Sequence, residues 1–101
     1  ALVYAKRAVE LAPESSSVLD TLAIAQLKNN DIDKARQSID RALAASPKSP
    51  DIRFHEAQIR AAEGDKNGAI VALNSLLNRE EEFLERDDAK AFLKALKSEE
   101  G

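Results

Sequence analysis

Apolar residues recur along this chain at helical spacing, in segments of about a dozen residues separated by short polar breaks. Val18, Leu19, Leu22, Ala23, Ala25 and Leu27 predict a helix from Ser17 to Asn29. Ala35, Ile39, Ala42 and Leu43 predict a second from Ile32 to Ala45. Ser17, with Asp20 three residues later, reads as the N-cap of the first, in the manner of a capping box. Between the two, Asn29–Asn30–Asp31 breaks the pattern. Asn tolerates the left-handed conformation that ends helices, and Asp suits the start of the next.

The prolines divide the chain further. Pro47 cannot continue a helix, because it lacks an amide hydrogen and its ring clashes with the preceding turn. Ser49–Pro50 signals the opposite: an N-cap followed by proline at the first helical position, where the missing donor costs nothing. A third helix is therefore expected from Pro50 to Glu63, a turn at Gly64–Asp65, and a fourth from Asn67 to Arg79. Upstream, Leu2 to Leu11 reads as another helix. After Arg79 an acidic connection begins, in which Phe83 and Leu84 are expected to tuck against the preceding pair. A terminal helix should start at Asp87 or Asp88, with Ala89, Phe92, Leu93 and Leu96 on its inner side. Asp88, Lys90, Lys94 and Lys97 should face water. The expectation is six helices in an all-α fold.

The segments are periodic. Pro13 and Pro47 lie 34 residues apart, and the same step links Ala1, Ala35 and Ala69; Ala5, Ile39 and Leu73; Ala8, Ala42 and Leu76; and Val9, Leu43 and Leu77. It also takes Asn30 to Gly64 and Asp31 to Asp65. A fixed period over so many positions is the mark of stacked repeats.

Composition agrees. The chain has 101 residues, enough for one small domain, and is 44% hydrophobic and 33% charged. With one Tyr, three Phe and no Trp, alanine and leucine have to fill the interior, which favours closely packed helices. The net charge is -3, from 15 basic and 18 acidic side chains mixed along the length, so no basic stripe for nucleic acid stands out. Cysteine is absent, which excludes disulfides and thiolate metal sites. No apolar run approaches the roughly 18 residues of a membrane span, and no direct membrane contact is expected. The first residue is alanine, already inside a helical pattern, so the chain is expected to be a fragment.

The repeated unit resembles the tetratricopeptide repeat (TPR). Leu19, Leu22, Ala23 and Gln26 take that family's first-helix positions, and Ala35, Ile39, Ala42 and Pro47 those of its second. In the next unit Ala57, Gly64, Ala69 and Leu73 keep the register. Arg53, Glu56 and Arg60 depart from it, which puts the tightness of that helix's packing in doubt. The resemblance implies a right-handed α-solenoid of about two and a half repeats. Residues 1–13 would be the second helix of a truncated repeat, 16–47 and 50–81 the complete ones, and 82–98 a connection and capping helix. A narrower likeness, strongest in "FLERDDAKAFLKAL", is to the C-terminal ends of bacterial TPR lipoproteins of the PEP-CTERM system, associated with exopolysaccharide export and protein sorting. It implies a periplasmic or cell-envelope location for the parent protein.

Candidate chemistry is thin. His55 is the single histidine, so no histidine pair for a metal or a triad exists, and its plainest reading is a partly exposed helix residue. The acids at 80–82 and 87–88 read as solvated, since acid–base catalysis needs carboxyls in a shaped pocket with displaced pKa values. Serines 15–17 are explained by capping, and the three glycines are isolated, so no phosphate loop is present. No cofactor is implied and no enzyme is expected.

A binding role remains. The resemblance places Ser17, Asp20, Ile24, Leu27 and Lys28 on the concave surface, with Asp51, Phe54, Gln58 and Ala61 from the next unit. The Lys and Asn clamp of chaperone-binding TPR proteins is missing there, which favours a mixed groove for a helix or extended segment of a protein partner. The alternatives are a structural spacer within a longer solenoid or a cytoplasmic TPR adaptor. Leu2, Val3, Tyr4 and Val9 would form an uncovered apolar edge, from which a twofold homodimer is expected.

Overall fold

The computed structural model describes Lys6 and residues 15–99. Residues 15–99 form five helices and no strand: α1 (Ser16–Lys28), α2 (Ile32–Ala45), α3 (Pro50–Ala62), α4 (Lys66–Asn78) and α5 (Arg86–Ser98). The all-α expectation holds, and each of these boundaries lies within two residues of the sequence-based one. The helix expected from Leu2 to Leu11 falls, apart from Lys6, outside the described residues.

The 34-residue step is visible in the backbone itself. Ser15 caps α1 with its Oγ accepting from the Val18 N–H at 3.3 Å, and Ser49 caps α3 by accepting from the Ile52 N–H at 3.4 Å. Both serines are extended, with ψ of 116° and 118°. Ser15, not Ser17, is thus the N-cap of α1. Ser17 lies inside the helix and is exposed, and Asp20 turns away from the cap to another partner. The α1–α2 and α3–α4 turns have the same wiring. Asn30 (φ 60°) and Gly64 (φ 93°) take the left-handed conformation and donate to Leu27 O and Ala61 O, both at 3.0 Å. The next residues, Asp31 and Asp65, donate to Gln26 O and Arg60 O. The step ends after α4, where Glu80 is left-handed (φ 57°) while its counterpart Ser46 has a negative φ of -140°.

Helices pack on their neighbours in sequence, and α1 also touches α3. One apolar cluster joins Leu19, Ala23, Ala35, Ile39 and Ala42 to Ile52 and Ile59 of α3. A second joins Phe54 and Ala57 of α3 to Ala69, Leu73, Leu76, Ala89 and Leu96. Ile52 and Ile59 are seven residues apart, two helical turns, and so share one side of α3, whereas Phe54 and Ala57 serve the other. Alanine at 23, 35, 42, 57, 69 and 89 lets the helix axes approach closely. Inside the first pair, Ser38 Oγ donates to Gln26 Oε1 at 2.7 Å, satisfying two buried polar groups.

The polar residues of α3 do not loosen it. Glu56 is buried and receives the Arg60 guanidinium, at 2.8 Å from Nη2, and Arg36 Nη1 of α2 at 3.0 Å. Arg36 also grips Glu63 through Nε (3.0 Å) and Nη2 (2.6 Å), so one guanidinium ties α2 to the middle of α3 and to its C-cap. The hydrogen bond to Glu63 raises the pKa of Arg36 far above its ordinary value despite partial burial, and the same bond lowers that of Glu63.

The connection to α5 behaves differently from expectation at one residue. Phe83 packs against the second cluster, but Leu84 is 94% exposed. The reason is the tight turn that leads into α5: Arg86 N–H bonds Phe83 O, and the Arg86 guanidinium donates to Glu81 O and Leu77 O. That anchoring turns Phe83 inward and leaves its neighbour outside.

Candidate functional site

A groove of about 330 Å3 opens where α1, α3 and the start of α5 meet. Asp20, Thr21 and Ile24 of α1 line it with His55 of α3 and Glu85, the residue immediately before α5. His55 is the centre of the arrangement. Its Nδ1 is 2.7 Å from Asp20 Oδ1 and its Nε2 is 2.8 Å from Glu85 Oε1. Ionised carboxylates only accept, so both ring nitrogens must donate, which requires the imidazolium. Burial works against that charge and is the largest single influence on it. The hydrogen bond and charge of Asp20, with the charge and hydrogen bond of Glu85, outweigh it, and the pKa of His55 is raised.

This geometry bridges rather than reacts. With both nitrogens committed, the ring has no lone pair to take a proton or to ligate a metal. The bridge joins residues 20, 55 and 85, drawing the beginning of α5 onto α1 across α3. The phenyl ring of Phe54 lies 5.6 Å from the imidazole and makes an edge contact with Phe92 of α5 at 6.2 Å, so the apolar side of the same junction is also filled. Among the described residues, no group of three or more His, Cys, Asp or Glu side chains is arranged to hold a metal ion. No helix among them is long and apolar enough to cross a membrane.

Of the nine concave-surface residues expected from the sequence, Asp20 and Ile24 line this groove. Ser17 and Lys28 are exposed at opposite ends of α1. Leu27 and Ala61 pack against the first and second apolar clusters, respectively. Gln58 and Asp51 are half-buried; Asp51 sits in the first turn of α3, where the helix dipole favours its charge. Phe54 needs correction: at 1% exposure it is core, not surface, because its side of α3 faces α4 and α5. His55 needs a correction in the same direction, from a partly exposed helix residue to a buried bridge. The expected self-association edge (Leu2, Val3, Tyr4, Val9) lies outside the described residues.

Sequence reasoning misses Thr21, His55 and Glu85 as groove residues. The available signal is the repeat step, which puts His55 at the position of Thr21 and so beside Asp20. Nothing in the sequence places Glu85, because it lies beyond the periodic part.

A second cleft, of about 250 Å3, lies between α3 and α4, with Lys48, Arg53, Arg60 and Arg79 around Glu56. Its arginines are already engaged: Arg53 with Pro47 O, Arg60 with Glu56, and Arg79 with Glu81.

No protein-family model matches the chain, and no curated protein matches it.

Proposed function

We propose that this chain is a non-catalytic protein–protein interaction scaffold of the tetratricopeptide type, part of a right-handed α-solenoid closed by α5. Its α1/α3 groove takes a short segment of a protein partner. The observation that carries the reading is the 34-residue recurrence of the same serine cap and the same left-handed turn, with α3 buried against both units. Stacked units of this kind expose the first helix of each pair along one surface. The groove offers Ile24 and Thr21 for side-chain contact beside the Asp20 and Glu85 carboxylates, a mixture suited to a peptide rather than to a reacting small molecule. The narrower proposal, a segment of a bacterial cell-envelope protein linked to exopolysaccharide export and protein sorting, draws on a likeness of the sequence that is strongest over residues 83–96.

Selection of random peptides against the immobilised chain tests the reading. A scaffold yields peptides whose affinity falls at least about tenfold on Thr21→Lys or Ile24→Glu, both at the groove surface. Peptides indifferent to both changes, or none above background, would leave the chain as a spacer.

A further inference from the structure

The α3/α4 cleft shares no lining residue with the α1/α3 groove. Its cations stand where the repeat changes character. Arg53, Arg60 and Arg79 follow Leu19, Gln26 and Ala45 by 34 residues, and none of those three carries a charge. The buried Glu56 accounts for Arg60, but not for the other two. Arg53 Nε donates to Pro47 O at 2.8 Å, and Arg79 Nη2 reaches Lys48 O at 3.5 Å. Carbonyls of consecutive residues thus hold both guanidinium groups, one from α3 and one from the C-cap of α4, side by side at the α2–α3 connection. A carbonyl fixes a guanidinium in place without neutralising it.

The charges in the cleft do not balance. Arg60 and Arg79 have carboxylates, Glu56 and Glu81, whereas Lys48 and Arg53 form no ion pair with a described residue. Glu56, the acid among the described lining residues, is buried and already shared by Arg36 and Arg60. Like charges gathered in one cleft repel each other unless an anion joins them, even in a chain of net charge -3. We infer that the cleft binds a dianionic phosphoryl group, as free phosphate or as the monoester on a phosphorylated side chain, through Arg53, Arg79 and Lys48. Two uncompensated cations match a phosphate monoester, which carries about -1.5 to -2 at neutral pH, better than they match a carboxylate. With Nε held by Pro47 O, Arg53 keeps Nη1 and Nη2 without a partner among the described residues, and such a planar fork meets phosphate oxygens in pairs. Ser75 adds a hydroxyl from α4. At about 250 Å3 the cleft suits a single group, since sites for drug-sized molecules run to roughly 300–1,000 Å3.

Isothermal titration calorimetry of the whole chain at low salt tests the site, with sodium phosphate, sodium acetate and a phosphoserine tripeptide as probes. Phosphate binds at least about tenfold more tightly than acetate. Arg53→Gln and Arg79→Gln, each as helical as the wild type by circular dichroism, weaken phosphate at least about tenfold, and Lys48→Ala weakens it less. Lys90→Ala, which removes the same charge from α5, leaves the affinity unchanged. A phosphoserine tripeptide that binds more tightly than phosphate, while its unphosphorylated form stays inert, assigns the group to a modified side chain. Equal or weaker binding of the tripeptide assigns it to free phosphate. Phosphate held no better than acetate overturns the inference. So does phosphate binding that persists when Arg53→Gln and Arg79→Gln are combined, or that falls as far on Lys90→Ala as on Arg53→Gln.

Discussion

The α1–α2 and α3–α4 pairs are the same backbone with different interiors. Caps and turns coincide at a 34-residue step, and so do the small or aliphatic positions at the helix contacts: Ala23 with Ala57, Ala35 with Ala69, Ile39 with Leu73, Ala42 with Leu76. The first helices differ. Leu19, Asp20, Leu22 and Gln26 of α1 correspond to Arg53, Phe54, Glu56 and Arg60 of α3. Where α1 buries Leu22 and a neutral Gln26–Ser38 pair, α3 buries a glutamate held by two arginines; where α1 shows a carboxylate at 20, α3 buries a phenyl ring. The unit's shape is therefore set by its turns and its close-approach positions. What fills the remaining positions depends on what stands beside the helix, and of the two first helices only α3 packs on a helix before it as well as one after it among the described residues.

The comparison breaks most severely at Phe54. Phe54→Ala should cost about 3–5 kcal/mol in urea unfolding, as a buried aromatic with cavity formation does. Glu56→Ala is next, at about 3 kcal/mol, because it leaves the Arg36 and Arg60 guanidinium groups short of a partner. Giving α3 the α1 residues, Glu56→Leu with Arg60→Gln, should recover most of that loss, since an apolar replacement of a buried ion pair is often neutral or better. If the double change is as damaging as the single one, the two interiors are not interchangeable.

The His55 bridge sharpens the comparison through pH. Its pKa is raised in the folded chain above the unfolded value of about 6.5, so its contribution is fully present below that value and fades as pH rises through the folded pKa. The groups that face it are Asp20 from α1 and Glu85 from the connection. The urea midpoint of the wild type should therefore fall on going from pH 6 toward alkaline pH, relative to His55→Gln. Parallel profiles for the two proteins would remove the imidazolium from the account. The smallest effects belong to the turns. Gly64→Ala should cost roughly 1 kcal/mol at φ 93°, while Asn30→Gly, a change to the second unit's residue, should alter thermal stability by only a few tenths.

The fold is legible in the sequence where the chemistry is local. Ser49–Pro50, Pro47, Asn30 and Gly64 act on their own backbone, so helix order and boundaries follow from them directly. The side-chain arrangement is less so, because it depends on orientation about the helix axis. Family positions carried over from α1 put Phe54 on the surface, while its actual side of α3 is decided by the presence of α5. His55 and Glu85 are 30 residues apart in sequence and on no shared period, so no spacing rule joins them. Leu84 escapes sequence reasoning for a similar reason: the anchoring of Arg86 to Glu81 O and Leu77 O is a tertiary event.

Because Ile52 and Ile59 belong to one apolar cluster and Phe54 and Ala57 to the other, α3 cannot unfold without exposing the core of both. The chain should therefore melt as one cooperative block rather than fray pair by pair. Amide hydrogens in α1–α2 and α4 would then exchange through the same opening, and damage at either end would be communicated to the other through that single shared helix.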